Sequence, residues 1–474
     1  MNPRLHKSGL RQAQRASILI IVLWMAFGLV SLALYFAHSM TFELRAADNR
    51  TASVVAEAAI AGAALYVSNV LANVEFPGQH PDPLAYEIEA VPLGDAYFWL
   101  IGRDTNTWGI GNARLTFALT DECAKLNLNS ATAEMLEFLP GMTPELAAAI
   151  VDWRDSDSDV TVNGAEDETY QRLNPAYRCK NAAFDSLDEL RLVRGMYPEI
   201  LYGEDANLNG VLDPNENDGD LSPPLDNRDG HLDPGILEYL TVWSGESTSS
   251  RTNLNDAQQL ASVLEAALGV DRANQVLLGL SGGQGGQGGG GRPGGGSTNL
   301  NLGSLLEFHV RSGLTAEEFM LVETTLTATT NAFTPGLVNV NTASEAVLAC
   351  LPGIGTERAG TLVAARQANS ASAGSLAWVK DVLGEEQAIE AGPYLTAQTY
   401  QFTADIAAVG HYGRGYRRVK FVFDTTEDAP RMVYRQDLTH LGWALGSDTL
   451  EDLQEIRGSR LAIAGAPRSL RRPR

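Results

Sequence analysis

Residues 16–37 carry no charged side chain, and Arg4, Lys7, Arg11 and Arg15 precede them with no acid among them. At about 1.5 Å per residue, a helix of this length reaches roughly 33 Å, enough to cross a bilayer. The basic flank assigns the amino terminus to the cytoplasm and everything after His38 to the far side, the periplasm in a diderm bacterium. A cleaved secretory signal would have a shorter apolar run and a small-x-small site, whereas His38, Ser39, Met40, Thr41, Phe42 and Glu43 follow here. No proline falls between Pro3 and Pro77, and Val55, Ala58, Ala59, Gly62, Tyr66 and Val70 recur at three- and four-residue spacing. The pattern predicts one long helix, embedded in lipid below and packed on a globular head above.

Beyond the helix the period changes to two. Short runs at 96–101 and 114–119, and again at 399–409, 417–423 and 432–435, read as antiparallel strands, with Gly413 and Gly415 turning between two of them. One sheet assembled from both ends of the chain, with the middle inserted, is the expected closure. The middle repeats itself. Residues 126–154 align with 338–366 at eleven identities in 29 positions, which superposes Leu139-Pro140-Gly141 on Leu351-Pro352-Gly353 and Arg154 on Arg366. A weaker third copy begins at Thr252-Asn253-Leu254-Asn255-Asp256-Ala257. In each, Asn-x-Asn followed by a short polar residue and alanine fits a strand end running into a helix cap. The Leu-Pro-Gly turns at Gly141, and at Gly353 and Gly355, resemble a helix-hairpin-helix. Such a turn binds a DNA phosphate through exposed amides or serves as a compact packing unit. Packing is the expected role, because no basic cluster follows either turn and Thr143 replaces the second glycine of the first.

Between 152 and 238 there are 21 acids and seven bases. Within this stretch, residues 205–216 place Asp205, Asn207, Asn209, Asp213 and Glu216 at positions 1, 3, 5, 9 and 12, Gly210 at 6 and the carbonyl of Val211 at 7. This is the oxygen spacing of a calcium loop. Two weaker candidates flank it: Asp226, Asp229 and Asp233 around a second Asp-Gly core, and Asp155, Asp157, Asp159, Glu166 and Asp167 upstream. Calcium bound there would be structural, relieving repulsion among the carboxylates.

Composition narrows the function. The chain has 474 residues, 44% hydrophobic and 20% charged, with a net charge of −23, so it is neither disordered throughout nor suited to coating nucleic acid. Three cysteines show no metal spacing; Cys123 and Cys179, both on the exported side, could pair, and Cys350 aligns with Phe138 as a buried position. No nucleophile and base, phosphate loop or HExxH is present, so an enzyme is not expected. Residues 281–297 contain eleven glycines and form a tether.

The amino-terminal pattern resembles a type IV pilin or pseudopilin, in which prepilin peptidase removes a short basic leader; cleavage between Ala16 and Ser17 fits, with alanine for the usual glycine. Most pilins carry a glutamate five residues after the cut, which neutralises the terminal amine of the neighbouring subunit. Here that position is Ile21 and the first acid is Glu43. The minor pseudopilin K family of type II secretion makes the same departure. Asp121-Glu122 before Lys125-Leu126-Asn127-Leu128-Asn129, Asp152-Trp153-Arg154-Asp155, Gly164-Ala165-Glu166-Asp167 with Tyr170, and 184–190 are also similar to that family, in order.

The resemblance implies an α+β protein: a pilin helix, a pilin-like antiparallel head, and a large, mainly helical, calcium-binding insertion. The expected segments are a leader at 1–16, the helix at 17–75, the first part of the head at 76–125 and the insertion at 126–240. A variable region follows at 241–335, then the second repeat at 336–395, the remaining strands at 396–440 and a basic, disordered tail at 441–474. It further implies a single-pass inner-membrane protein at the tip of the pseudopilus. Its partners would be other minor pseudopilins, secretin and exported proteins, with prepilin peptidase acting on the precursor. The alternative is a membrane-anchored helix-hairpin-helix receptor for DNA uptake, which the acidic charge makes the lesser expectation.

Overall fold

The computed structural model describes residues 9–103, 115–280, 300–368, 374–427 and 429–458. The glycine tether and the end of the basic tail lie outside them. Helix α1 (Gly9–Ala72) has 64 residues, which corresponds to roughly 96 Å of rod. It contains Ala16 and Ser17, and it is long and apolar enough to cross a membrane, an 18-residue stretch of it reaching a mean hydropathy of 2.3. From Ile20 through Leu44 the large apolar side chains are exposed. Further along, Ala52, Ala56, Ala59, Ile60, Ala63, Val67 and Leu71 are buried. That row corrects the register expected from the sequence, in which Ala58 belonged to the packed face; Ala58 is exposed. Alanines win the contact because they let the sheet approach closely. A Cβ on Gly415, whose φ is +69°, would lie 2.4 Å from the carbonyl carbon of Ala52.

The sheet is built from both ends of the chain. Strands β1 (Val91–Leu93), β2 (Ala96–Ile101) and β3 (Thr120–Asp121) precede the insertion; β4 (Gln401–Gly410), β5 (Arg414–Asp424) and β6 (Arg431–Asp437) follow it. The order is β1-β2-β4-β5-β6 with β3 also beside β4, and every pairing is antiparallel. The run expected as a strand at 114–119 supplies only an isolated bridge from Phe117 to Ile101. One face of the sheet, with Phe98, Leu100, Phe402, Ile406 and Phe421, packs on α1. The other carries Trp99 and Val409 against Ala444, Leu445 and Leu453. The tail is therefore ordered further than expected. Residues Gly446–Gly458 form a helix, fixed by Leu453, which is 1% exposed.

Described residues between Leu126 and Ala397, including Leu254, Leu264, Val276, Leu306 and Leu326, share a single hydrophobic core, so the described part of the stretch expected as a separate variable region belongs to the insertion. Three units make it. Each opens and closes with a two-residue parallel pair: Leu126–Asn127 with Leu240–Thr241, Thr252–Asn253 with Leu326–Thr327, and Val338–Asn339 with Leu395–Thr396. The opening asparagine accepts from the N–H two residues on, at 2.9, 2.8 and 3.0 Å in the three units. The closing threonine hydroxyl does the same for its own strand. Arg154 and Arg366 donate back to carbonyls of the opening segment, which explains their alignment in the repeat.

The first and third units contain paired helices, Ala133–Leu136 with Pro144–Arg154 and Glu345–Ala349 with Gly355–Ala368, capped by Thr132, Thr143 and Ser344. Gly141, Gly353 and Gly355 turn between them at φ of +72°, +77° and +61°. The Gly353 turn is covered by protein, since a Cβ there would lie 2.7 Å from the Gln387 carbonyl oxygen and 2.9 Å from the Ala391 nitrogen. That arrangement supports packing over phosphate binding. Gly353→Ala should cost about 2 kcal/mol, through both the left-handed φ and the clash, as read by urea denaturation. A loss below about 0.5 kcal/mol would contradict this packing role.

Candidate metal centre

The acidic stretch folds into loops whose carboxylates are held by backbone N–H groups. In the loop 205–216, Asp205 Oδ1 and Oδ2 accept from the N–H of Asn209 and Gly210 at 3.0 and 2.8 Å. Glu216 Oε1 and Oε2 accept from Ala206 and Asp213 at 3.0 and 2.9 Å, which ties the two ends of the loop together. Asn207 and Asn209 donate their amides to Asp213 Oδ2, and to the carbonyls of Trp443 and Ala444 on the C-terminal segment. Two arginines of the head grip the outside of the loop. Arg103 donates to the carbonyls of Leu208 and Asn209, and Arg418 to those of Asn207 and Leu208. Positive φ at Leu208 and Gly210, 53° and 75°, aims these carbonyls outward. The loop follows a short helix, Pro198–Tyr202, and leaves by a single turn, Pro214–Glu216, so it is not framed by two long helices.

Burial acts on these acids. Glu216 is 1% exposed and its carboxyl is pushed up to about 8, first by desolvation and then by Asp205 and Asp213. Asp205 is raised for the same first reason, with Arg103 opposing. An acid with a raised folded pKa binds its proton more tightly in the folded chain, so its contribution is complete below about pH 4.3 and is lost as pH rises toward 8. Glu323, raised to about 7 by burial, adds the same sign. The metal-free protein should therefore lose thermal stability from pH 5 to 8, and Glu216→Gln should flatten part of that slope; stability rising over this window would contradict the assignment.

The second candidate loop is similar in construction. Asp226 accepts from Asp218, Gly219 and Arg228, Asp229 from His231, and Asp233 from the Asn227 amide. Glu204, which the spacing did not single out, closes it by accepting from the N–H of Asn227 and Asp233, each at 3.2 Å. Burial raises the Glu204 carboxyl, and Asp233 and Asp226 add to the effect.

Carboxylate oxygens converge at the upstream cluster. Ligand atoms of Asp155, Asp157 and Glu166 lie within 4.8 Å of one another. Asp155 Oδ1, Glu166 Oε1 and Asn181 Oδ1 are buried without a hydrogen-bond partner among the described residues. Desolvation raises both acids, and for each the neighbouring carboxylates, Asp152 among them, add repulsion. Asp159 does not join this group, and Asp167 Oδ1 is engaged by the Cys179 N–H at 2.7 Å. Two unpartnered buried carboxylate oxygens, with Asp157 converging on them, fit a hard cation, which would supply charge neutralisation and a fixed geometry. Asn181 was not legible from the motif, because it arrives from 26 residues beyond Asp155 on a turn with φ of 46°.

The suggested Cys123–Cys179 bridge is corrected. Both thiols are free: Cys123 points at Gln401 of β4 and Cys179 at the carbonyl of Asp152 inside the insertion. Cys350 is buried, 2% exposed.

Residues 124–202 match the model of the family described as type II secretion system (T2SS), protein K. Over 52 residues the chain is 44% identical to the type II secretion system protein K of Klebsiella pneumoniae, a stretch covering 11% of this chain and 16% of that protein. A similar solved structure is the GspK-GspI-GspJ complex from the enterotoxigenic Escherichia coli type 2 secretion system, at a TM-score of 0.36 and 12% identity, over 80% of this chain and 94% of that one. The family that the residues resemble is the one named by the family model over residues 124–202 and by the Klebsiella relative over 52 residues.

Proposed function

We propose that this chain, which carries the protein K domain of type II secretion at residues 124–202, is the minor pseudopilin that ends the pseudopilus and supports export of folded proteins across the outer membrane. In this reading α1 is a single-pass inner-membrane anchor, amino terminus cytoplasmic and head periplasmic, after prepilin peptidase cuts between Ala16 and Ser17. Other minor pseudopilins pack along its exposed apolar flank, and the insertion faces secretin and cargo. Calcium held at Asp155, Asp157 and Glu166, with a further ion in the loop 205–216, is structural.

The observation that carries the tip position is Ile21. A subunit added above this one would bury its terminal ammonium beside an alkyl side chain, and the first acid lies at Glu43, about 33 Å further along the rod. An uncompensated buried charge costs several kcal/mol, so growth past this subunit is disfavoured. Ile21→Glu should raise the number of copies per fibre several-fold, measured by quantitative mass spectrometry of sheared fibres. An unchanged copy number would remove the basis for the tip position.

A further inference from the structure

A cavity of about 300 Å³ lies between the face of the sheet opposite α1 and the insertion. Its wall includes Lys420, Trp243, Tyr434 and Leu441. Lys420 stands in the middle of a cross-strand row, opposite Asp405 on β4 and Gln436 on β6. Both neighbours are already engaged. Arg418, two residues away on the same face, takes both oxygens of Asp405, and Gln436 donates to Asp188. The nearby acids are engaged as well: Glu122 accepts from Lys125, Thr403 and Thr241, and Glu238 from Arg103. Lys420 itself makes no hydrogen bond or ion pair among the described residues.

The Lys420 side chain is half-buried in the cavity wall. Desolvation and then Lys125 lower its pKa, with Glu122, Asp405 and Glu238 opposing. Beside it, Trp243 and Tyr434 set their rings 5.2 Å apart, and the Trp243 indole N–H is also without a partner among the described residues. A half-buried cation and an indole donor, both open to the cavity and neither hydrogen-bonded among the described residues, stand beside an aromatic wall in a pocket of small-molecule size and define a complementary ligand.

We infer that this cavity is a binding site for a carboxylate on an aromatic body, with Lys420 taking the carboxylate and Trp243 and Tyr434 the ring. Such a group is available from a small organic acid or from the carboxy terminus of a polypeptide ending in an aromatic residue. The site borders the loop 205–216 through Leu208 and Arg103, uses none of that loop's carboxylates, and does not depend on the tip position.

The test is isothermal titration of the full-length, detergent-solubilised protein with four probes: phenylacetate, phenylacetamide, N-acetyl-Gly-Gly-Phe and its carboxy-terminal amide. The acids should bind at least tenfold more tightly than the matching amides. Binding of the peptide acid alone identifies a polypeptide terminus; binding of phenylacetate as well identifies a small acid as sufficient. Lys420→Met should remove the preference for acid over amide, Lys420→Arg should keep most of it, and Trp243→Leu should weaken acid and amide alike. Equal binding of acid and amide, no binding of either acid, or a preference surviving in Lys420→Met would overturn the assignment.

Discussion

Replacing Asp155 and Glu166 with asparagine and glutamine should abolish most of the stabilisation that calcium gives the full-length protein. Among the described residues Asp155 Oδ1 and Glu166 Oε1 of the parent are buried without donors, against neighbouring carboxylates of the same charge. A divalent cation removes that repulsion and supplies the missing partner, and a ligand at a hundred times its Kd stabilises the state it binds by about 2.7 kcal/mol. Neutral amides keep the shape and lose the charge. The parent should therefore show a rise in melting temperature on calcium addition that chelator reverses, and the double variant a much smaller one. An equal rise in both would exclude this cluster and shift the effect to the loop 205–216, where Asp205→Asn with Glu216→Gln is the corresponding variant.

The second large effect is expected at Arg418, which is fully buried. It holds both oxygens of Asp405, at 2.9 and 2.5 Å, and the carbonyls of Asn207 and Leu208. It is thus the joint between the head sheet and the acidic loop. Arg418→Met leaves Asp405 buried without its guanidinium and the Asn207 carbonyl without a donor, while Leu208 keeps Arg103, a loss of about 3–5 kcal/mol for a broken buried pair. Adding Asp405→Leu should restore part of it, because replacing both partners with apolar groups removes the stranded charge. Chemical denaturation reads both. A loss under about 1 kcal/mol in the single variant would show that the joint carries little of the stability.

The elements that followed from the sequence are those in which one physical requirement dominates. Twenty-two uncharged residues can only be a greasy helix, and alternating runs at the two ends of the chain can only close as one sheet. The threefold insertion was half legible. Asn-x-Asn marks the start of each unit, but its end is a bare Leu-Thr pair, at Leu240-Thr241, Leu326-Thr327 and Leu395-Thr396, too short to stand out until the parallel pairing shows what it does. Arg418 was invisible for a related reason: an arginine in an alternating strand reads as solvent-facing, and only the loop packed over it buries it.

The acidic region shows the same limit. Spacing singled out 205–216 because its oxygens are local, whereas the convergent cluster brings Asp155 and Asp157 together with Glu166 from a separate turn. Loop regularity reports backbone curvature, and Asp205 and Glu216 spend their oxygens on it. Convergence across the fold is a tertiary property that no twelve-residue window contains.

A subunit that ends the fibre sits at one place in it. Labelling the head with gold through an epitope placed after Arg474, and imaging fibres sheared from secreting cells, reads that position directly. A tip subunit gives single particles at one end only. Particles spaced along the shaft, or at both ends, would contradict it.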